Sequence, residues 1–308
     1  MSDTIAVVFT EHGPAEVLHV HELPLDRPGP REARVRVAAA AVHPTDLVLR
    51  SGARPPTGAP PYVPGMAVAG VVDESGEGSA WRPGDRVMGM TLPSSPFGGG
   101  CRASIVVPDE TLARVPADID LHQAATLPMN GHTALQALRL LELPAGATIA
   151  VTGAAGALGA LVVPLAVSRG LRVVGVARSG DEALVRSLGA HSFVSAGPEL
   201  AGLIVAAAGG QVDGAIDLAI HDDEVVPAVR AGGALVSLRG WTGPSEAEIR
   251  VLPVAVPKEW RAGGQLDEFA DARYLTRPVR RFAPADAAQA HLLLEEAGLR
   301  SSVVIDFA

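Results

Sequence analysis

The sequence predicts an α/β protein, with a β-barrel-like unit of short strands followed by a doubly wound parallel sheet. Three observations predict it. Up to about residue 120, short β-prone runs are separated by Pro and Gly clusters, the spacing expected of a compact all-β unit. From about 121 to 254, apolar runs of strand length alternate with helical ones, as a parallel sheet with crossover helices requires. The chain is also 48% hydrophobic but only 4% aromatic, so its core is built from Ala, Val and Leu, which suits helices packed closely on a sheet.

The elements follow in order. Ile5–Phe9, Arg34–Val42, Ala67–Val72 and Arg86–Met90 read as strands, with Pro55–Pro64 and Pro93–Gly100 as loops between them. A helix rich in Ala and Leu opens the second region. Thr148 to Arg178 then reads as strand, small-residue turn, helix and second strand. A helix over Asp181–Leu188 stops at Gly189, and strands are expected at His191–Val194, Gly214–Leu218 and Ala234–Leu238. In the last region Asp286–Ala297 reads as an amphipathic helix, and Ser302–Phe307 as a terminal strand returning to the first region. The expected division is 1–120 with 255–308 as one discontinuous domain around a second at 121–254. No internal repeat is visible.

The run from Thr148 to Arg178 carries chemistry. Ala154, Gly156 and Gly159 occupy the positions of a G-x-G-x-x-G pattern, with Ala at the first. Gly156 lets backbone approach a pyrophosphate, and Gly159 lets the helix pack closely on the sheet. Free N–H groups at the helix start favour an anion. Gly153, Ala154, Ala155, Gly156, Ala157, Leu158 and Gly159 are therefore the expected cofactor cradle. NAD sites place an acidic residue about 20 positions further on, against the ribose 2′-hydroxyl. Here the second strand ends at Arg178-Ser179, a cation and a hydroxyl suited to a 2′-phosphate, so the expected cofactor is NADPH. The uncharged stretch from Leu143 to Ser168 is long enough to span a bilayer. Its glycines, Pro144 and Pro164 and its strand-turn-helix pattern favour the nucleotide unit instead.

Charge and composition exclude other classes. A net charge of −9 argues against nucleic-acid binding, and Arg273, Arg277, Arg280 and Arg281 read as a solvated face. Cys101 is the single cysteine, so neither an intrachain disulfide nor a thiolate metal cage is available. Lys258, the single lysine, is followed by Glu259, which excludes a P-loop, and no G-x-S-x-G elbow is present. Met1 to Thr10 shows no signal-peptide pattern, so a cytoplasmic location is expected.

The order of motifs resembles the medium-chain dehydrogenase/reductase superfamily, and within it the zinc-independent quinone oxidoreductase-like branch. The matching segments are Val42-His43-Pro44-Thr45-Asp46 with Arg50-Ser51-Gly52, the strand Pro64 to Val72, and Trp81-Arg82-Pro83-Gly84-Asp85-Arg86-Val87. Asn130-Gly131-His132-Thr133-Ala134, Leu188-Gly189-Ala190 and Ala290 to Glu295 complete the order, which covers nearly the whole chain. The resemblance implies a GroES-like β-barrel catalytic domain beside a Rossmann nucleotide-binding domain. Zinc-dependent relatives carry Cys at the position of His43 and His-Glu at that of Met66-Ala67. Met66 is a poor zinc ligand and His43 would stand nearly alone, so no metal is expected.

The resemblance further implies hydride transfer from NADPH to a small-molecule substrate, a quinone or an α,β-unsaturated carbonyl. The protein would supply orientation and hydrogen-bond donors for the developing oxyanion. The candidates are His43, Thr45 and Asp46, with Asn130 and Thr133 beside the cofactor. His43 stands where the branch usually has Asn; it is read either as a proton donor or as a neutral hydrogen-bonding ring. Asp46 is read as an orienting group. The branch's tyrosine is replaced by Leu47, Val48 and Leu49. Tyr62 reads as packing against Pro60 and Pro61, Cys101 as buried and inert, and His221-Asp222-Asp223 as a solvated loop. Ser301-Ser302 replaces a Gly-Lys pair that helps bind phosphate in relatives. Two other functions stay open: an enoyl-thioester reductase of a fatty-acid or polyketide pathway, and a non-catalytic NADPH-binding regulator or redox sensor. Relatives often dimerise through an edge strand, for which Ile249–Val256, with its Pro253, is the candidate.

Overall fold

The computed structural model describes residues 3–95, 98–244, 248–269, 271, 274, 277–296 and 298–308. The chain divides into two compact units, Met1–Met129 with Pro257–Ala308, and Asn130–Val256.

The first unit contains β1 (Asp3–Val8), β2 (His19–Pro24), β3 (Glu32–Val42), α1 (Pro44–Arg50), β4 (Ala67–Ser75), β5 (Arg86–Met90), β6 (Ser104–Pro108), β7 (Leu112–Arg114) and α2 (Leu121–Ala124). α3 (Pro128–Leu141) starts in it and runs into the second unit. The second unit continues with β8 (Thr148–Thr152), α4 (Gly159–Ser168), β9 (Arg172–Ala177), α5 (Glu182–Ser187), β10 (Ser192–Ser195), α6 (Leu200–Ala208), β11 (Val212–Asp217), β12 (Val229–Ser237) and β13 (Arg250–Pro253). β14 (Val279–Phe282), α7 (Ala287–Glu295) and β15 (Ser302–Asp306) return to the first.

In the first unit β3 is the organiser. It pairs antiparallel with β4, β6 and β15, and its register with β4 shifts at Arg34/Val35 and at Val37/Ala39. Its first half alternates Glu32, Arg34 and Arg36 with buried Ala33, Val35 and Val37, whereas Ala39 to Val42 are all buried. Four consecutive alanines favour helix on propensity alone. Here the strand ladder and burial override that preference, because small side chains admit close neighbours on both faces. β15 pairs with β3 through Val303↔Val42 to Asp306↔Ala39, so the terminal strand does return to the first region. The core of this unit gathers Phe9, Val35, Val68, Val87, Ile105, Val303 and Ile305.

The second unit holds a six-stranded sheet in the order β10-β9-β8-β11-β12-β13, every pairing parallel. The chain runs outward from β8 through β9 to β10, then crosses to β11 on the other side of β8. The strand order therefore reverses between β8 and β11. Ile149, Ala150, Val151, Val173, Ala215, Ile216 and Leu235 are fully buried, the signature of strands covered on both faces.

Several expectations shift. The helix read at Asp181–Leu188 is a 3-10 turn at Ser179–Asp181 followed by α5, and the last helix likewise starts at Ala287 after a 3-10 turn at Pro284–Asp286. The expected end of that last helix, Ala297, lies outside the described residues, as does Arg273. In the arginine face, Arg280 and Arg281 are exposed, with Arg281 approaching Asp120 at 3.4 Å, whereas Arg277 is half-buried and donates to the Leu299 and Ser301 carbonyls. Tyr62 packs on Phe9 and stacks against His12.

Candidate active site

The second unit contains the turn expected to cradle a cofactor. β8 ends at Thr152, the chain turns through Gly153 with φ +61°, and α4 begins at Gly159. The glycines divide their labour. A Cβ on Gly159 would lie 2.4 to 2.6 Å from the backbone of Gly153 and Ala154, so only Gly lets the helix approach the turn. A Cβ on Gly156 would meet only the Gly153 oxygen, at 3.0 Å; beyond it lies open space that a ligand's phosphates can occupy. Ala154 and Ala155 are buried against the sheet, with the Ala154 N–H bonded to the Val176 carbonyl. Ala157 and Leu158 complete the turn before α4.

β9 ends at Ala177, and Arg178, Ser179 and Gly180 follow as exposed residues. Arg178 makes no ion pair among the described residues, and its carbonyl accepts from the Asp181 N–H. The cation is thus held at the strand terminus with its guanidinium free for a ligand. Asn130 and Thr133 sit early in α3, an element separate from the turn; Asn130 is half-buried and Thr133 buried.

A second anchor lies outside the sequence expectations. Thr152 and Asp217 end the neighbouring strands β8 and β11, and both are fully buried. The Thr152 hydroxyl donates to one Asp217 oxygen and accepts the Ala219 N–H at 3.0 Å. The other Asp217 oxygen accepts the Asp222 N–H at 2.7 Å. The available signal was a polar residue closing each of two apolar strands. His221 approaches Glu224 at 3.2 Å, and no three His, Cys, Asp or Glu residues converge among those described.

In the first unit, His43 caps α1 and Pro44 occupies its first turn, where a missing N–H costs nothing. The Asp46 carboxylate is buried and joins two segments. It accepts the His43 N–H at 2.8 Å and the Gly65 N–H at 2.8 Å. Gly65 in turn accepts from the Thr91 hydroxyl and the Gly100 N–H, and the Cys101 N–H donates to Pro64. Burial pushes the Asp46 carboxyl up to about 6, against the two amides, which favour its charged form.

Burial likewise lowers the His43 imidazole to about 4, opposed by the Ala41 carbonyl. The ring is therefore neutral at neutral pH, and its 4.0 Å approach to Asp46 is not an ion pair. Its Nδ1 has no hydrogen-bond partner, and neither has the buried Thr45 hydroxyl. Burial, and secondarily Asp46, raise the Cys101 thiol well above its usual range, so it carries no thiolate at neutral pH.

A family model of the alcohol dehydrogenase GroES-like domain matches residues 29–117. A quinone oxidoreductase of Pongo abelii is 33% identical over 190 residues, 60% of this chain and 56% of that protein. The chloroplastic NADPH-dependent alkenal/one oxidoreductase of Arabidopsis thaliana is 32% identical over 249 residues, 78% of this chain and 63% of that one. An alcohol dehydrogenase superfamily protein from Novosphingobium aromaticivorans, known from its crystal structure, superposes with a TM-score of 0.88 at 26% identity, covering 98% of this chain and 99% of that one. The matched segment thus spans little more than half the length of the quinone oxidoreductases. The chain carries the alcohol dehydrogenase GroES-like domain and is similar over nearly its whole length to a member of the medium-chain dehydrogenase/reductase superfamily. The matched relatives include quinone oxidoreductases and an alkenal/one oxidoreductase, and such a likeness implies a nicotinamide dinucleotide cofactor.

Proposed function

We propose that the protein is an NADPH-dependent reductase of quinones or α,β-unsaturated carbonyls that works without zinc. The observation that carries the reading is Arg178, exposed and without an ion pair among the described residues, one strand away from a turn whose Gly156 leaves room for phosphates. The turn from Gly153 to Gly159 and the start of α4 would hold the pyrophosphate, and Arg178 with Ser179 the 2′-phosphate. Bound NADPH supplies a hydride. Asn130 and Thr133 are assigned to the cofactor's other contacts.

The first unit would supply the substrate side. His43, neutral at neutral pH, has a single N–H to offer an oxygen that gains charge, and the Ala41 carbonyl competes for it. Its depressed basicity leaves no imidazolium at neutral pH, so the proton completing the reduction is assigned to solvent. Thr45 is a second donor, and Asp46 holds the loop that carries both. Zinc finds too few ligands here: His43 has Met66 and Ala67 where a zinc site needs further donors. Dimerisation is proposed through β13, which among the described residues pairs only with β12 and ends at Pro253.

Absorbance assays with NADPH and a panel of small quinones, enones and enoyl thioesters test the reading. Oxidation with quinones or enones supports it. Turnover confined to enoyl thioesters would move the substrate class, and tight NADPH binding without turnover would indicate a regulator or sensor.

A further inference from the structure

β2 carries two histidines that the proposed reaction does not use. His19 and His21 are alternate residues of one strand, so both side chains project from the same face. The register with β1 agrees: His19 stands opposite Val8 and His21 opposite Ala6, while Val20 between them stands opposite Val7 on the other face. Both histidines are exposed, because among the described residues β2 pairs with β1 alone and forms the rim of a two-stranded sheet.

The two rings lie close together. Their centroids are 6.3 Å apart and their planes cross at 83°. Nitrogen–metal bonds of about 2.1 Å set two imidazoles on one ion at centroid separations of roughly 5 to 6 Å. A small side-chain rotation at this exposed rim closes the difference, and the pairing of β2 along its whole length with β1 keeps the two backbone positions fixed.

A second observation concerns which nitrogen is free. The His19 Nδ1 lies 3.1 Å from the Val17 carbonyl oxygen, at the end of a 3-10 turn over Ala15–Val17. A carbonyl can only accept, so Nδ1 donates, and in the neutral ring Nε2 keeps the lone pair. A backbone carbonyl on the far nitrogen is the arrangement that fixes the tautomer and orientation of a metal-ligating histidine. A net charge of −9 favours a cation at the surface. Imidazole suits late first-row divalent ions, among which Cu²⁺ binds a given site most strongly. No third His, Cys, Asp or Glu joins the pair among the described residues, so water must complete the coordination and a chelator can strip the ion.

We propose that His19 and His21 form a surface site for a late divalent transition-metal ion, Cu²⁺ ahead of Ni²⁺ and Zn²⁺, with water in the remaining positions. The site lies outside the residues assigned to cofactor and substrate and does not depend on the NADPH reading.

The test uses the untagged full chain, with Cu²⁺ alone as the probe. Calorimetric titration compares wild type with His19→Ala and His21→Ala, and pulsed electron paramagnetic resonance counts the imidazoles on the bound ion. The expected result is one ion per chain in wild type, binding weaker by about tenfold or more in each variant, and an imidazole count falling from two to one. The Tm of the metal-free variants should match that of wild type, since both rings are exposed. Should either alanine variant melt early, His19→Gln and His21→Gln keep the side-chain bulk and must show the same loss of Cu²⁺. Undiminished Cu²⁺ binding in the variants, or fewer than two imidazoles on the ion in wild type, overturns the proposal.

Discussion

His43 and Asp46 sit three residues apart and titrate in opposite senses. Burial lowers His43 from 6.5 to about 4, so the unfolded chain takes up this proton first. The contribution of His43 is complete above pH 6.5 and is lost as pH falls from about 6.5 to about 4, roughly 3 kcal/mol in all. His291, lowered to about 3 by burial and by Arg50, acts in the same direction. Asp46 is raised from 3.8 to about 6, so the unfolded chain loses that proton first, and its contribution declines as pH rises from about 4 to about 6. The two histidines outweigh the carboxyl. Denaturant melts should therefore show stability falling from pH 6.5 toward pH 4, with a shallower fall in His43→Asn and a steeper one in Asp46→Asn. An identical slope in all three proteins would refute these shifts. In the second unit, Arg178→Ala should weaken NADPH roughly tenfold or more and leave NADH nearly unchanged, since a charge-assisted phosphate contact is lost. Fluorescence titration of both nucleotides reads this directly.

At the scale of elements, the cradle glycines make a paired prediction. Gly159→Ala forces a Cβ onto backbone 2.4 Å away, so it should cost about 2 kcal/mol or more in stability. Gly156→Ala meets one oxygen at 3.0 Å; it should fold nearly as well and lose about tenfold in nucleotide affinity by blocking phosphate approach. Matched thermal melts and titrations separate the two, and equal effects would contradict this division of roles. These positions were legible in the sequence because strand, turn and helix each leave a local signature. Other elements were not. β2 exposes almost every residue, so no alternation marks it, and α1 is a seven-residue helix fixed by the Asp46 clamp to Gly65, a contact 19 residues away. β14 was hidden in its arginines, two of which are strand residues. Thr152 and Asp217 could be seen as residues but not as a pair, because β8 and β11 become neighbours only after the sheet crosses over.

At the scale of the molecule, the sequence order of β-rich, α/β and mixed regions reflects a chain whose last strand pairs with β3 of the first unit. Read from residues alone, that return was an expectation; the Val303↔Val42 register makes it a structural fact. The substrate side was less legible, because His43, Asp46 and Gly65 meet through loops whose hydrogen bonds no periodicity encodes. Two further expectations belong to this scale. Elemental analysis of purified protein should find no stoichiometric zinc, and chelator treatment should leave turnover unchanged; zinc at one per chain, with activity lost on chelation, would contradict the donor set described. Sedimentation should show a dimer that Leu252→Lys in β13 weakens, whereas a monomeric wild-type chain would refute the edge-strand interface.

The proposed reaction passes reducing equivalents from NADPH to a conjugated carbonyl or quinone. The most direct measurement follows NADPH and NADH oxidation, side by side, with a small quinone and a small enone. Turnover with at least one acceptor, and a clear preference for NADPH, is the predicted result. No oxidation with either acceptor, or turnover with NADH equal to that with NADPH, would contradict it.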